Sequence, residues 1–310
     1  MYDTTKPYKN SILELIKQTW ETPHVSIKEG TYPIIERKFL SVEVDHTDGV
    51  GTKGIYHWKQ RAFRNASLDA LAMNLNDLAM ARAIPYKTQN HIIIPKDDKE
   101  AILEIIESLV NECKKRRIAI TGGETSIHDY LDGLDISLTV SGFVKNYQQN
   151  RFEEGDILIG MRSSGLHSNG FTKLREVFGE EYRDDFIIPT EIYFDKVLSL
   201  IERFDIHGMM HITGGAFTKL KGLLYNCDVR LYRKHKLVPQ KIFEEVYEKN
   251  VSDEEMYKTF NCGIGFILSV SQDEANKIVR ELDSDIVGEI TKGTGKVSIE
   301  SMFSNRKIEF

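Results

Sequence analysis

Residues 39–53 read FLSVEVDHTDGVGTK and residues 67–83 read SLDALAMNLNDLAMARA. The first stretch alternates apolar and polar positions through Leu40, Val42 and Val44, the two-residue period of a half-buried strand. It ends in a turn containing Gly49 and Gly51. The second stretch has Ser67 at a capping position and apolar residues nearly all round, which predicts a helix buried on most faces. β segments running into glycine loops recur further on. Ile118–Ile120 enters Thr121-Gly122-Gly123-Glu124-Thr125, and Ile157–Met161 enters a loop ending at Gly170 before a helix-like FTKLREVF. Met209–Ile212 enters Thr213-Gly214-Gly215 before AFTKLKGLL. Ahead of them, residues 95–117 predict a helix with Ile102, Ile105, Ile106, Leu109, Val110 and Cys113 on one stripe. Its acids come first and Lys114–Arg117 last, as the helix dipole favours. Ser11–Trp20 also has helical spacing. The tail adds one β segment (CGIGFILSV), one helix (DEANKIVRELD) and two final β segments. This order predicts an α+β or mixed α/β fold, not plain alternation around a parallel sheet.

The chain has 310 residues, which predicts two domains, because one core rarely grows past about 250–300 residues. The acidic turn Glu153–Asp156 places the division, giving domains 1–150 and 151–310. Against 41 basic side chains stand 47 acidic ones, a formal charge of −6. Such a chain has no general pull toward phosphate backbones or anionic lipid, so neither nucleic acid nor membrane is an expected partner. The basic run 114–117 is accounted for as a solvated helix end. Cys113, Cys227 and Cys262 have neither metal-like spacing nor the even number of a disulfide framework, which fits a reducing cytoplasm. The N-terminus lacks the apolar core of a signal peptide. The longest uncharged stretches, such as Thr259–Gln272, are shorter than the roughly 20 residues of a membrane helix.

Three places carry candidate chemistry. Asp77 falls among Ala70, Met73 and Ala81 on the buried helix, where a carboxylate needs a cation or several donors unless that face is wet. Asp45–Lys53 sets two acids, two glycines and a lysine within one turn. Carboxylates suit Mg²⁺, glycines let backbone N–H groups approach an anion, and Lys53 offers a charge for phosphate. A glycine-rich surface turn competes with that reading, since the spacing is not that of a Walker loop. The Ser163–Gly170 loop offers hydroxyls and His167 ahead of a helix N-terminus, and His211 precedes Thr213-Gly214-Gly215. Each loop alone reads more readily as a helix-capping turn. Together with Asp48, Asp77 and Glu124 they point to an anion and metal site.

In order, TDGVGTK (47–53), NDLA (76–79), TGGET (121–125), SSGLHSNG (163–170), PTEIY (189–193), HITGG (211–215) and MYKTFNCGIGF (256–266) resemble the aminoimidazole ribonucleotide synthetase family. That family is also called phosphoribosylformylglycinamidine cyclo-ligase. Selenophosphate synthetases carry a reactive Cys near the N-terminus, and the hydrogenase-maturation relatives end in a functional Cys; this chain has neither. Thiamine-monophosphate kinases lack the TFNCGIGF-type segment. The resemblance implies an ATP-dependent ligase of purine biosynthesis acting on formylglycinamidine ribonucleotide. It implies a homodimer whose N-terminal domains pair their sheets, with α/β C-terminal domains outside.

Carried over residue by residue, the resemblance gives Asp48 and Asp77 to Mg²⁺ and the ATP phosphates. Gly49, Gly51, Thr52, Lys53, Gly122, Gly123 and Glu124 join them in the nucleotide site. Ser164, His167, Ser168, Asn169, Thr213, Gly214 and Gly215 face the substrate. The catalytic set is Asp48, Lys53, Asp77, His167 and His211, with one of the histidines as general acid–base. The family's glycine-rich, lysine-bearing nucleotide flap has no match here, because Ser26–Ile35 contains only Gly30. That departure keeps two alternatives open: a divergent member using ATP on another amide or phosphate acceptor, or a non-catalytic nucleotide-binding protein.

Overall fold

The computed structural model describes residues 8–30 and 32–310. They form two compact units. The first runs to Tyr147 and also takes in Tyr182–Ile192, while the second comprises Gln148–Glu181 and Tyr193–Phe310.

The first unit contains α1 (Lys9–Lys17), β1 (Val25–Lys28), β2 (Ile34–Arg37), β3 (Val42–Gly49), α2 (Lys53–Lys59), α3 (Phe63–Met80), β4 (Ala83–Ile94), α4 (Lys99–Arg116), β5 (Ala119–Ile127) and β6 (Asp135–Val144). Its main sheet runs β3-β6-β4-β5, parallel only between β4 and β5, while β1 and β2 pair apart from it. The helix at α3 is buried on most faces, as its apolar surround predicts. It begins at Phe63, ahead of Ser67, whose hydroxyl donates to the Phe63 carbonyl inside the helix and to the Ile105 carbonyl of the neighbouring α4. Ser67 is therefore not a cap. In α4 the whole predicted stripe is buried, and the Asp98 carboxylate caps the helix by accepting from the Ala101 N–H at 3.0 Å.

The TGGET run is strand, not loop. Gly122–Ile127 of β5 pairs in parallel with Gln89–Ile94 of β4 after an irregularity at Thr88. The segment after α1 is bolted to the same strand. The Ile120 N–H donates to Thr19 Oγ1, and Trp20 Nε1 donates to the Ile120 carbonyl, both at 2.8 Å.

The second unit contains β7 (Ile157–Arg162), α5 (Phe171–Phe178), α6 (Phe194–Ile201), β8 (Ile206–His211), β9 (Cys227–Leu231), α7 (Lys241–Glu248), α8 (Asp253–Thr259), β10 (Ile264–Val270), α9 (Gln272–Val279), β11 (Ser284–Lys292), β12 (Val297–Glu300) and β13 (Lys307–Glu309). Its sheet runs β13-β12-β9-β11-β7-β10-β8, mostly antiparallel with β9 and β12 parallel. A mixed α/β architecture in two parts is what the order of segments predicts. AFTKLKGLL is a 3₁₀ helix over Ala216–Leu223, and the tail ends in three strands where two were expected. Among the described residues no helix is long and apolar enough to cross a membrane.

Candidate active site

Asp48 lies at the end of β3 and Asp77 near the end of α3, and His46 with Asn74 ties the Asp77 carboxylate to the Asp48 backbone. His46 Nε2 is 3.2 Å from Asp77 Oδ2, and its Nδ1 is 3.1 Å from Asn74 Oδ1. The Asn74 amide is oriented by its Nδ2, which donates to the carbonyls of Asp48 and Ala70. Both His46 nitrogens thus face oxygen acceptors, the arrangement an imidazolium wants. The hydrogen bond to Asp77 raises the His46 pKa against the opposing effect of burial, and the charges of Asp77 and Asp48 add to it. Asp77 is neither alone in apolar surroundings nor simply wet. Gly51 continues the turn in the left-handed region at φ 60, a conformation costly for residues with a Cβ.

No group of three His, Cys, Asp or Glu side chains among the described residues is arranged to hold a metal. Two nearby carboxylates without a third ligand do not make a self-sufficient metal cage. They do fit Mg²⁺ arriving with a nucleotide, since that ion takes one or two carboxylates and completes its shell with phosphate and water.

Lys53 is placed elsewhere than the sequence suggests. It is 0% exposed, and its Nζ lies 2.8 Å from Asp69 Oδ2 and 2.6 Å from the Ile188 carbonyl. His57 Nε2 is 2.7 Å from the same carboxylate, which also accepts from the Thr190 N–H (2.7 Å) and hydroxyl (2.6 Å). Burial works against ionising Asp69, but Lys53 and His57 outweigh it and hold its pKa well below the usual carboxylate range. Burial lowers the pKa of both Lys53 and His57. The expected phosphate-facing lysine is instead half of a buried ion pair, and the sequence gives Asp69, His57 and Thr190 no role, although Thr190 stands in the PTEIY run.

Gly122, Gly123 and Glu124 line a cavity of about 560 Å³ whose other wall includes Leu13, Ile16, Trp20 and Tyr32. That volume lies within the roughly 300–1,000 Å³ of small-molecule sites. The Glu124 carboxylate is exposed and accepts from the Thr125 N–H at 2.9 Å.

In the second unit three loops converge. Asn261 Nδ2 donates to the Gly165 carbonyl (2.8 Å), the Ser163 N–H to Gly263 (3.0 Å), and the Ile212 N–H to Gly265 (2.9 Å). A Cβ on Gly265 would lie 2.0 Å from Tyr193 Oη and 2.5 Å from His167, so only glycine fits there. His167, Ala216 and Cys262 all hold positive φ without being glycine. Such strain collects at functional sites. His167 and His211 are 0% exposed, with ring centroids 6.3 Å apart around Tyr193 and Phe266.

At the surface of these loops lie Ser164, Ser168, Asn169, Gly214 and Gly215, with Thr213 buried beneath. Asn169 Nδ2 is a buried donor with no hydrogen-bond partner among the described residues. Lys219 Nζ donates to Thr213 Oγ1 at 2.9 Å, adding a cation the motif reading left out. Its signal was its place one turn past the glycine pair. Hydroxyls, an amide donor and an ammonium make an anion-receiving set.

Residues 40–144 match the family described as AIR synthase related protein, N-terminal domain, and residues 153–300 match its C-terminal domain. The chain belongs to this AIR synthase family. It is similar to the phosphoribosylformylglycinamidine cyclo-ligase of Methanobrevibacter smithii, 33% identical over 89% of this chain and 88% of that one. The enzyme of the same name from Saccharolobus solfataricus is 33% identical over 89% and 85%. Among solved structures, hydrogenase maturation protein HypE in complex with ATP has a TM-score of 0.71 at 16% identity, covering 99% of this chain and 95% of that one. Thiamine-monophosphate kinase from Stenotrophomonas maltophilia has 0.68 at 15%, covering 97% and 98%. Those structures share the fold.

Proposed function

We propose that this chain is an ATP-dependent cyclo-ligase that converts formylglycinamidine ribonucleotide to aminoimidazole ribonucleotide in purine biosynthesis. The observation that carries the site assignment is the ion pair of His46 with Asp77, tied through Asn74 to the Asp48 carbonyl beside the Gly49–Thr52 turn. Support for the substrate comes from relatives named for that reaction along most of the chain.

The formyl amide oxygen is a poor leaving group. Transfer of the terminal phosphoryl of ATP to that oxygen, with the amide N–H proton released to solvent, gives an iminophosphate and ADP. The amidine nitrogen then attacks the activated carbon, the ring closes and inorganic phosphate departs. Mg²⁺ bound with the nucleotide at Asp48 and Asp77 would offset charge on the phosphoryl oxygens. The chain's own residues bind and orient. Asp48, Asp77 and the 49–52 turn take the nucleotide phosphates, and Gly122, Gly123 and Glu124 line the cavity offered to the rest of the nucleotide. Ser164, Ser168, Asn169, Thr213, Gly214, Gly215 and Lys219 receive the phosphate of the ribonucleotide. Full burial makes His167 and His211 the frame of those loops, so we assign them to positioning in place of proton transfer.

We assign a homodimer paired through the β3 edge, where Leu40 and Val42 are 102% and 67% exposed. The cytoplasm is the proposed compartment, supported by three buried cysteines without disulfides. A coupled assay with MgATP and formylglycinamidine ribonucleotide tests the reaction. Aminoimidazole product and ADP in equal amounts are expected, and ADP only with a different amide would move the assignment to another acceptor. Asp77→Asn should lower kcat by about 100-fold or more with an unchanged melting temperature. Wild-type turnover would remove Asp77 from the site.

A further inference from the structure

The Asp69 carboxylate sits where two parts of the first unit meet α3. Lys53, its ion-pair partner, is the first residue of α2 and follows the 47–52 turn directly. Thr190, which gives it both an N–H and a hydroxyl, belongs to the 182–192 segment. Other side chains lay that segment along the same helix. Asn65 Nδ2 donates to the Ile187 carbonyl and Asn76 Nδ2 to the Glu191 carbonyl, both at 2.9 Å. Asn76 is the neighbour of Asp77.

Stability alone does not call for such a cluster. Lys53, His57 and Asp69 are each 0% exposed, and well-packed apolar residues often replace a buried ion pair with no loss of stability. What apolar residues cannot reproduce is a fixed register between turn, helix and segment, which directional charged hydrogen bonds impose.

We propose that Asp69 is a positioning residue for the nucleotide site, fixing the 47–52 turn through Lys53, and the 187–191 segment through Thr190, against the helix that carries Asp77. The inference rests on the nucleotide reading of Asp48 and Asp77. Asp69 itself touches no substrate in this role. Its loss frees the turn to shift relative to Asp77, which weakens the hold on MgATP and leaves the ribonucleotide loops of the second unit as they are.

The test compares Asp69→Asn, Thr190→Val and the apolar pair Lys53→Met/Asp69→Leu by steady-state kinetics, calorimetry with MgATP and urea unfolding. Asp69→Asn should raise the KM for MgATP about tenfold with the KM for ribonucleotide within about twofold. Thr190→Val, which removes one hydroxyl, should raise it about threefold. The apolar pair should recover the wild-type unfolding midpoint while the KM for MgATP stays raised, a split that a purely structural role would not give. Wild-type KM for MgATP in the folded apolar pair overturns the proposal, even where Asp69→Asn does not fold. Equal rises in both KM values also overturn it. Absence of MgATP binding by the wild-type chain would instead sink the nucleotide reading itself, and this inference with it.

Discussion

Lys53 carries a charge into a place water does not reach, and its partners explain why the turn alone could not show this. Asp69 lies 16 residues away and the Ile188 carbonyl 135. A glycine turn ending in lysine looks the same whether the ammonium faces phosphate or core. The need of Asp77 for a partner was legible, because a carboxylate on a helix buried on most faces requires one, and His46 supplies it. Lys219 was not, since it meets its partner Thr213 across a 3₁₀ turn where the sequence spacing predicts an ordinary helix. Lys219→Gln should raise the KM for the ribonucleotide about tenfold with that for MgATP unchanged. An unchanged ribonucleotide KM would take Lys219 out of the substrate site.

Among the elements, α4 was readable in its apolar stripe and terminal charges, while the Asp98 cap and the start at Lys99 came from the structure. The TGGET segment was not, because glycines signal turns locally while pairing with β4 is a long-range fact. A second long-range tie joins three strand ends of the second unit. Asp156, just ahead of β7, accepts from Ser269 Oγ of β10 at 2.5 Å and pairs with His207 Nδ1 of β8 at 2.9 Å. Burial lowers the His207 pKa, but the bond to Asp156, with the charges of Asp156, Glu153 and Asp205, outweighs it and leaves the pKa raised. A raised histidine adds stability that is complete below its unfolded pKa and fades as pH rises through the folded one. His207→Gln should therefore cost about 1 kcal/mol at pH 5.5 and progressively less above neutrality, measured by urea unfolding across pH. A pH-independent loss would mean that the imidazolium is not the stabilising form.

For the molecule as a whole, the order of segments made a mixed α/β fold legible, while sheet order and the place of Tyr182–Ile192 in the first unit needed the structure. The β3 edge has no further strand on its outer side among the described residues. With Val42 67% exposed, it is a surface that invites a second copy. Val42→Lys should shift the chain from dimer to monomer in sedimentation analysis. A dimer that survives the charge would place the interface elsewhere. The 182–192 segment has a consequence for how the protein is made. Thr190 is translated 121 residues after the Asp69 it satisfies, an interval on the order of ten seconds at ribosomal speed. Until then Lys53 and Asp69 face each other in an unfinished core, so the N-terminal part of the nascent chain must wait for a piece of sequence that belongs, by position, to its successor.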